Sequence, residues 1–366
     1  MEKGVDRTLV AIISILLIFG FFVFSSASLG LLAREGARFS SVAFNQIAFG
    51  IIGGSAALFI ASRIFYRNWR KYAFHIFVAS IILTLSVFLP KVGMEHGGAH
   101  RWIHIGSFTF QPAEFLKITF IIYMATWLSG VHKTIGTFKQ GTLPFAGITA
   151  LVGVVMLIQP DTDTYLVMAT AATAMFVTAG GSWRDVALMF FSTVALLILL
   201  AFSRPYIMDR IMTFLNPSHD PQGKGYQVKQ SLIAVGAGGI TGRGFGQSIQ
   251  KFEYLPEPIG DSIFAVYAEE FGFIGSVLLI ILFTFFTFRG YKIAAHATDL
   301  FGMLLVVGFM TLIILQAFFN IASMVALAPL MGFPLPFISH GGTAMFATLG
   351  AVGIVLNISK YQKNTL

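Results

Sequence analysis

Long hydrophobic runs, separated by short polar connections, dominate the chain from its first residues. Crossing about 30 Å of hydrocarbon takes about 20 apolar residues in a helix, so runs of this length predict about ten membrane spans. The predicted spans lie near residues 8–32, 43–65, 72–91, 112–130, 143–159, 164–180, 184–203, 262–288, 299–327 and 342–358. The first run is too long for a signal peptide and has no small-residue cleavage site, so we expect it to be retained.

The same runs also predict the fold class. A membrane barrel would show short segments of alternating polarity, and the chain has none, so the spans are expected to be helices. We therefore expect an all-α polytopic membrane protein in which residues 1–366 form a single integral membrane domain.

The longest polar connection is expected at residues 204–261, between the seventh and eighth spans. Structureless loops of roughly 60 residues are uncommon and are usually functional or disordered. This one is rich in glycine but keeps apolar residues throughout, such as Val228, Ile233 and Phe252. That content argues against disorder and predicts short helices that lie on the membrane surface over a cavity.

The basic residues predict the orientation of the spans. One set of connections holds Lys3, Arg7, Arg63, Arg67, Arg70, Lys71, Lys133, Lys139, Arg184, Arg289, Lys292, Lys360 and Lys363. The opposite short connections hold only Arg34, Arg38, Lys91 and Arg101. The positive-inside rule then places both termini in the cytoplasm and the 204–261 loop outside the cytoplasmic (inner) membrane.

Composition narrows the functional classes. Only 11% of the residues are charged and 56% are hydrophobic, which could not cover a water-soluble surface. The net charge of +8 is interpreted as cytoplasmic anchoring charge, so no nucleic-acid partner is expected. The chain has no cysteine, which excludes disulfides and thiol chemistry.

Glu114 and Asp261, near the ends of predicted spans, are candidate functional residues because ionisable groups at membrane depth are energetically costly. Glu114 and Lys117 are three residues apart on one predicted helix, close enough to pair. They form either a structural ion pair or the lining of a hydrated cavity. Asp261 opens the eighth span and is either a helix N-cap or a functional acid, with Glu269 two turns along on the same side.

Three further patterns are weaker evidence for a functional site. Asp161 and Asp163 form either a solvated turn or a divalent-cation site, and the first is favoured. His96, His100 and His104 have helical zinc spacing, but neighbouring glycines disfavour a helix, so no metal site is predicted. The glycine-rich residues 236–246 lack the context of a nucleotide loop.

Several motifs, in order from the third span to the tenth, resemble the signature of one family. They are Arg101-Trp102-Ile103, Phe110-Gln111-Pro112-Ala113-Glu114-Phe115-Leu116-Lys117, Gln159-Pro160-Asp161, Gly223-Lys224-Gly225-Tyr226-Gln227, Gln230-Ser231, Leu255-Pro256-Glu257 and Pro334-Leu335-Pro336-Phe337-Ile338-Ser339-His340-Gly341-Gly342. The chain resembles the SEDS proteins, the RodA/FtsW family, and is slightly more similar to FtsW. It departs from the usual pattern at Asp163, where the family usually has glycine, at Gly260-Asp261-Ser262 and at His340.

The resemblance implies a peptidoglycan glycosyltransferase that polymerises lipid II and releases undecaprenyl pyrophosphate. It also implies a partner, a class B penicillin-binding protein that supplies transpeptidation. Asp261 would be the general base, and Glu114 would orient Lys117. The cations available to the leaving pyrophosphate are Arg101, Lys117, Arg210, Lys224, Lys229 and Arg243.

No cofactor is required by these residues, and a divalent cation is neither required nor excluded. A competing hypothesis is a lipid II flippase or transporter without chemistry, which intramembrane charge and a central cavity would serve equally well. A third is a scaffold that only activates its partner enzyme. The large loop beside an acid at the outer surface favours the enzyme.

Overall fold

The computed structural model describes residues 4–34, 36–90, 93–96, 99–105, 108–203, 205–216, 220–221 and 223–362. The α-helices are α1 Arg7–Arg34, α2 Gly36–Phe44, α3 Gly54–Arg63, α4 Arg67–Leu85, α5 Pro112–Val131, α6 Leu143–Ile158, α7 Thr162–Thr178, α8 Trp183–Ser203, α9 Pro205–Leu215, α10 Lys224–Ala237, α11 Gln250–Glu253, α12 Ile263–Ala295, α13 Leu300–Met324 and α14 Gly342–Ser359. A π-helical stretch, Asn45–Gly53, joins α2 to α3.

Within the described residues, 8 helical stretches are long and apolar enough to cross a membrane. They are Arg7–Ala33, Phe39–Arg63, Arg67–Phe88, Pro112–Val131, Phe138–Ile158, Ile263–Ala295, Leu300–Met324 and Gly342–Ser359. The prediction of a multi-pass helical membrane protein is therefore confirmed. The two remaining predicted spans, 164–180 and 184–203, coincide with α7 and α8, so the full count of about ten stays a prediction.

Helices α13 and α14 lie at the centre of the bundle. In each, 78% of the most apolar stretch is buried inside the protein, against at most 50% for the other candidate spans. Helix α13 is mostly apolar and is buried on nearly all sides, as expected of a helix surrounded by others. A side chain at Gly308 would meet Ile121 of α5 and Met175 of α7 at 2.6 Å, so glycine allows this close packing.

The predicted all-α membrane fold is confirmed for the bundle, but the sequence did not predict a small sheet between α4 and α5. Strands β1 Gly93–His96, β2 Ala99–Ile105 and β3 Phe108–Phe110 form an antiparallel sheet in the order β1-β2-β3. Short strands joined by tight connections can form backbone hydrogen bonds with one another. They do not need the long apolar run that marks a membrane helix in the sequence. All three histidines of the helical zinc pattern lie in these strands, so that spacing does not correspond to a helix face.

The connection from α8 to α12 contains α9, α10 and α11, so short helices are present there as expected. Helix α10 turns Val228 and Ala234 towards the bundle, whereas Leu232 and Ile233 are exposed. The expectation that the apolar content of this loop is buried therefore holds for only part of it.

Side-chain contacts define two ends of the bundle. The end with the connections α4–α5, α6–α7, α8–α12 and α13–α14 is here called the loop end, and the end where α1 begins and α14 ends is called the terminal end. At the terminal end, Arg289 pairs with Asp6 at 2.7 Å, and Tyr66 donates to Asp299 at 2.8 Å. The candidate residues Arg101, Arg210, Lys224 and Asp261 belong to the loop end.

Candidate functional site

Asp261 lies in the turn just before α12, and long-range hydrogen bonds hold that turn in place. Asn320 of α13 donates to the backbone oxygen of Asp261 at 2.8 Å. The Ser339 hydroxyl donates to the oxygen of Gly260 at 2.8 Å. Ser262, not Asp261, occupies the N-cap position, and no side chain caps this helix start. The interpretation of Asp261 as a helix cap is therefore wrong.

The Asp261 carboxylate is half-buried and has no hydrogen-bond partner among the residues that the structure describes. Burial raises its pKa to about 7, and the negative charges of Glu257 and Asp163 act in the same direction. The guanidinium groups of Arg210 and Arg101 oppose this rise. A carboxyl group with a pKa near neutrality can accept a proton from a substrate at neutral pH.

Arg101 approaches from strand β2 and is anchored to the turn between α6 and α7. Its Nε donates to the oxygen of Gln159 at 3.2 Å, and its Nη2 donates to the oxygen of Pro160. The same Gln159 donates through Nε2 to the oxygen of Thr84 at 2.6 Å, which ties the turn to α4. Arg101 is thereby fixed at the loop end with its charge within range of Asp261.

A small cavity at the loop end, here called the cationic cavity, is lined by two further cations, of which Arg210 lies within electrostatic range of Asp261. Arg210 of α9 and Lys224 of α10 line this cavity, which has a volume of about 10 Å³, together with Thr213 and residues of the α13–α14 connection. Burial, followed by the positive charge of Arg210, lowers the pKa of Lys224 to about 8. The Thr213 hydroxyl is buried and has no hydrogen-bond partner in the described part of the chain.

Backbone strain is concentrated around this site. Glu257, Ala326 and Phe337 adopt φ values of +46°, +55° and +67°, which are unusual for residues with a side chain. Glu257 accepts backbone hydrogen bonds from the turn that holds Asp261, and Ala326 lines the cationic cavity. Such conformations cost about 1–3 kcal/mol each and persist where the surrounding structure imposes them.

The other predicted site residues lie elsewhere. Lys229 is exposed on α10, and Arg243 reaches Glu269, at 3.4 Å, instead of the cavity. Glu114 and Lys117 form the predicted pair, with Nζ 2.8 Å from Oε1, and are 5% and 2% exposed. The pairing is confirmed, but neither residue lines the cavity of Arg210 and Lys224.

The acidic turn before α7 differs from the expectation of a solvated turn. Asp161 is buried and accepts a hydrogen bond from the backbone nitrogen of Thr164 at 3.4 Å, at the N-cap of α7. Asp163 is also buried and forms an ion pair with Arg210. Among the described residues, no group of three or more acidic or histidine side chains is placed to hold a metal ion.

Sequence reasoning missed two charged contacts. The Asp163–Arg210 pair joins α7 to α9, and its only sequence signal was the departure from the usual glycine. Lys251 is fully buried and donates to Glu270 at 2.7 Å and to Ser26 of α1 at 2.9 Å. Lys251 and Glu270 are 19 residues apart, beyond the reach of any helical spacing rule.

Comparison with known proteins gives the family. Residues 6–364 match the model of the FtsW/RodA/SpoVE family, described as cell cycle proteins, and the chain belongs to that family. It is 40% identical over 320 residues to stage V sporulation protein E of Bacillus subtilis, which covers 87% of each protein. It is 39% identical over 312 residues to the probable peptidoglycan glycosyltransferase FtsW of Geobacter metallireducens, covering 85% of this chain and 83% of that protein.

Solved structures share the fold. A chain in a structure of a peptidoglycan synthase complex superposes with a TM-score of 0.80 at 24% identity, covering 98% of this chain and 99% of that one. The rod shape determining protein RodA of Thermus thermophilus superposes with a TM-score of 0.70 at 24% identity, covering 98% of both chains. The RodA/FtsW resemblance drawn from the motifs is thus confirmed, and the similarity to FtsW is consistent with it.

Proposed function

We propose that this protein is a peptidoglycan glycosyltransferase that polymerises lipid II into glycan strands at the outer face of the cytoplasmic membrane, for cell division or elongation. The observation that carries the proposal is the Asp261 carboxylate, which has a pKa of about 7 and lies within electrostatic range of Arg101 and Arg210. Relatives of this chain that are matched over most of their length carry the name peptidoglycan glycosyltransferase.

The chemistry assigns a task to each charge. A hydroxyl of the acceptor sugar attacks the anomeric carbon of the donor and passes its proton to the Asp261 carboxylate. The new bond from carbon to the acceptor oxygen forms as the bond to the pyrophosphate oxygen breaks. Undecaprenyl pyrophosphate leaves with the bonding electrons, and Arg101, Arg210 and Lys224 stabilise the charge that develops on it.

Two apolar grooves on the sides of the bundle support a lipid-linked substrate. One, of about 520 Å³, lies between α3, α4, α5 and α14, and the other, of about 700 Å³, lies between α10, α12 and α13. Apolar clefts of this kind suit prenyl tails or an apolar helix of a partner. The second groove adjoins the cationic cavity through residues 325–328.

Orientation and partner belong to the same proposal. Arg7, Arg63, Arg67, Arg289 and Lys360 lie at the terminal end, which the positive-inside rule assigns to the cytoplasm. The loop end would then face outwards, where the growing glycan lies. The partner is proposed to be a class B penicillin-binding protein, in keeping with the peptidoglycan synthase complex in which one chain is structurally similar to this protein.

Purified protein incubated with lipid II in detergent tests the proposal. Glycan strands should form without a partner and should be lost in Asp261→Asn but kept in Asp209→Asn, which removes an exposed carboxylate from α9. Detergent abolishes the two compartments, so a flippase without chemistry would make no strands. A scaffold that only activates its partner would make none unless the partner were added.

A further inference from the structure

The ion pair between Asp163 and Arg210, which no sequence motif predicted, joins the candidate site to the helix bundle. Asp163, the second residue of α7, is bound by Nη1 of Arg210 on α9, 47 residues along the chain. Both side chains are largely shielded from solvent, at 12% and 17% exposure. A charge pair buried to this extent is costly to break because the remaining charge is left without compensation.

The pair determines where the Arg210 guanidinium lies. Arg210 lines the cationic cavity with Lys224 and Thr213, and Asp163 binds that same guanidinium from the bundle. Arginine has a long side chain with many rotamers, so an immobile carboxylate beside it removes most of that freedom. Asp163 is not among the residues that line the cavity, so it acts on the cavity through Arg210.

We propose that Asp163 is a positioning residue, which holds the Arg210 guanidinium at the wall of the cationic cavity and partly offsets the positive charge that Arg210 exerts on Asp261. The inference rests on the proposed glycosyltransferase function and extends it to a residue that is not part of the RodA/FtsW motif, where glycine is usual.

The charges around Asp261 give the direction of the effect. Glu257 and Asp163 raise the pKa of Asp261, and Arg210 and Arg101 lower it. Replacing Asp163 with asparagine removes one of the charges that raise the pKa and leaves the field of Arg210 less compensated. The pKa of Asp261 should therefore fall, and the base should stay deprotonated at lower pH.

The first experiment measures the pH dependence of glycan synthesis by Asp163→Asn in purified full-length protein, with lipid II as substrate. The acid limb of the kcat/KM profile should move to lower pH, and KM for lipid II should rise about tenfold because the Arg210 guanidinium loses the ion pair that orients it at the cavity wall. Asp163→Glu should recover most of both properties. Asp209→Asn, which removes a charge from the residue next to Arg210, should leave the acid limb in place.

The second experiment exchanges the partners in Asp163→Arg/Arg210→Asp. The exchange restores an ion pair between α7 and α9 but moves the positive charge from the cavity wall to the bundle. We expect thermal stability to recover relative to Asp163→Arg alone, while KM stays high. Recovery of both the thermal stability and the KM would show that the pair only connects the two helices, and the inference would fail.

The outcomes separate this inference from the function on which it rests. An unshifted acid limb and an unchanged KM in Asp163→Asn, with Asp261→Asn inactive, would overturn the role of Asp163 alone. Glycan synthesis that survives Asp261→Asn would instead overturn the assignment of Asp261 as the base.

Discussion

The carboxylates at the start of α12 lie in two contrasting environments, one around Asp261 and the other around Glu269 and Glu270. Asp261 precedes α12, is half-buried and has no hydrogen-bond partner for its carboxylate among the described residues. Glu269 and Glu270, two turns further along, are at most 2% exposed and bind several donors each. Glu269 accepts from the Ser248 hydroxyl at 2.5 Å and from backbone nitrogens at the start of α11, and Glu270 accepts from Lys251.

The difference shows what distinguishes a reactive carboxylate from a structural one in this protein. Glu269 and Glu270 anchor the loop that contains α11 to α12 and α1, and their lone pairs are occupied by the loop itself. Asp261 itself is held through its backbone oxygen, which accepts a hydrogen bond from Asn320. Its side chain therefore remains available to a substrate. Because burial disfavours the charged form of the carboxylate, the pKa of Asp261 is raised.

The largest effect is expected from Asp261→Asn. Loss of a general base lowers the rate by about 10² to 10⁴, so strand synthesis from lipid II should fall by that factor. Stability should not fall with it. The pKa of Asp261 in the folded protein, about 7, lies above its ordinary value of 3.8, so its ionisation disfavours the folded state as the pH rises between these values.

Thermal unfolding in detergent at pH 8, beside the strand assay, checks both parts of this prediction. Well-folded Asp261→Asn protein that makes strands at a near-normal rate would remove the distinction between Asp261 and the two glutamates.

Glu270→Met should have the converse effect. It leaves the ammonium group of Lys251 buried without its carboxylate, which should cost about 3–5 kcal/mol of stability. Lys251→Met should be similarly destabilising, and the double variant should recover much of the loss. Melting temperatures of the three variants test this. If the single variants melt like the unmodified protein, the pair does not anchor the loop.

Glu114 and Lys117 provide a second buried pair for comparison, formed within one helix. Each neutral single substitution should leave an uncompensated charge, with a coupling energy of about 0.5–3 kcal/mol in a double-mutant cycle. A double variant whose loss of stability equals the sum of the single losses would mean that the two charges are not coupled. Loss of strand synthesis in a stable double variant would add a functional role to the structural one.

A graded effect, without any substitution, is expected in the pH profile of kcat/KM. Below pH 7 the rate should fall about tenfold per pH unit, because Asp261 becomes protonated and cannot act as a base. Above pH 8 the lowered pKa of Lys224 leaves its amine increasingly neutral, so affinity for the anionic substrate should weaken. Rates measured from pH 5 to pH 9 test both limbs, and a flat acid side would contradict the assignment of Asp261.

Sequence reasoning was sufficient where the interaction is local. Hydrophobic runs predicted the membrane helices because a span needs a continuous apolar stretch. The Glu114–Lys117 pair followed from helical geometry, since residues three apart lie on one face. The ordered motifs predicted the family, which the match over residues 6–364 confirms.

The tertiary structure decided which charges meet. Arg243 was expected at the cavity but reaches Glu269, while Asp163, which received no catalytic role from the sequence, binds Arg210. The sheet at residues 93–110 was also missed, because short strands lack the long apolar run that marks a membrane helix. These contacts depend on the path of the loop between α8 and α12, and no spacing rule relates residues that the loop brings together over 19 or 47 positions.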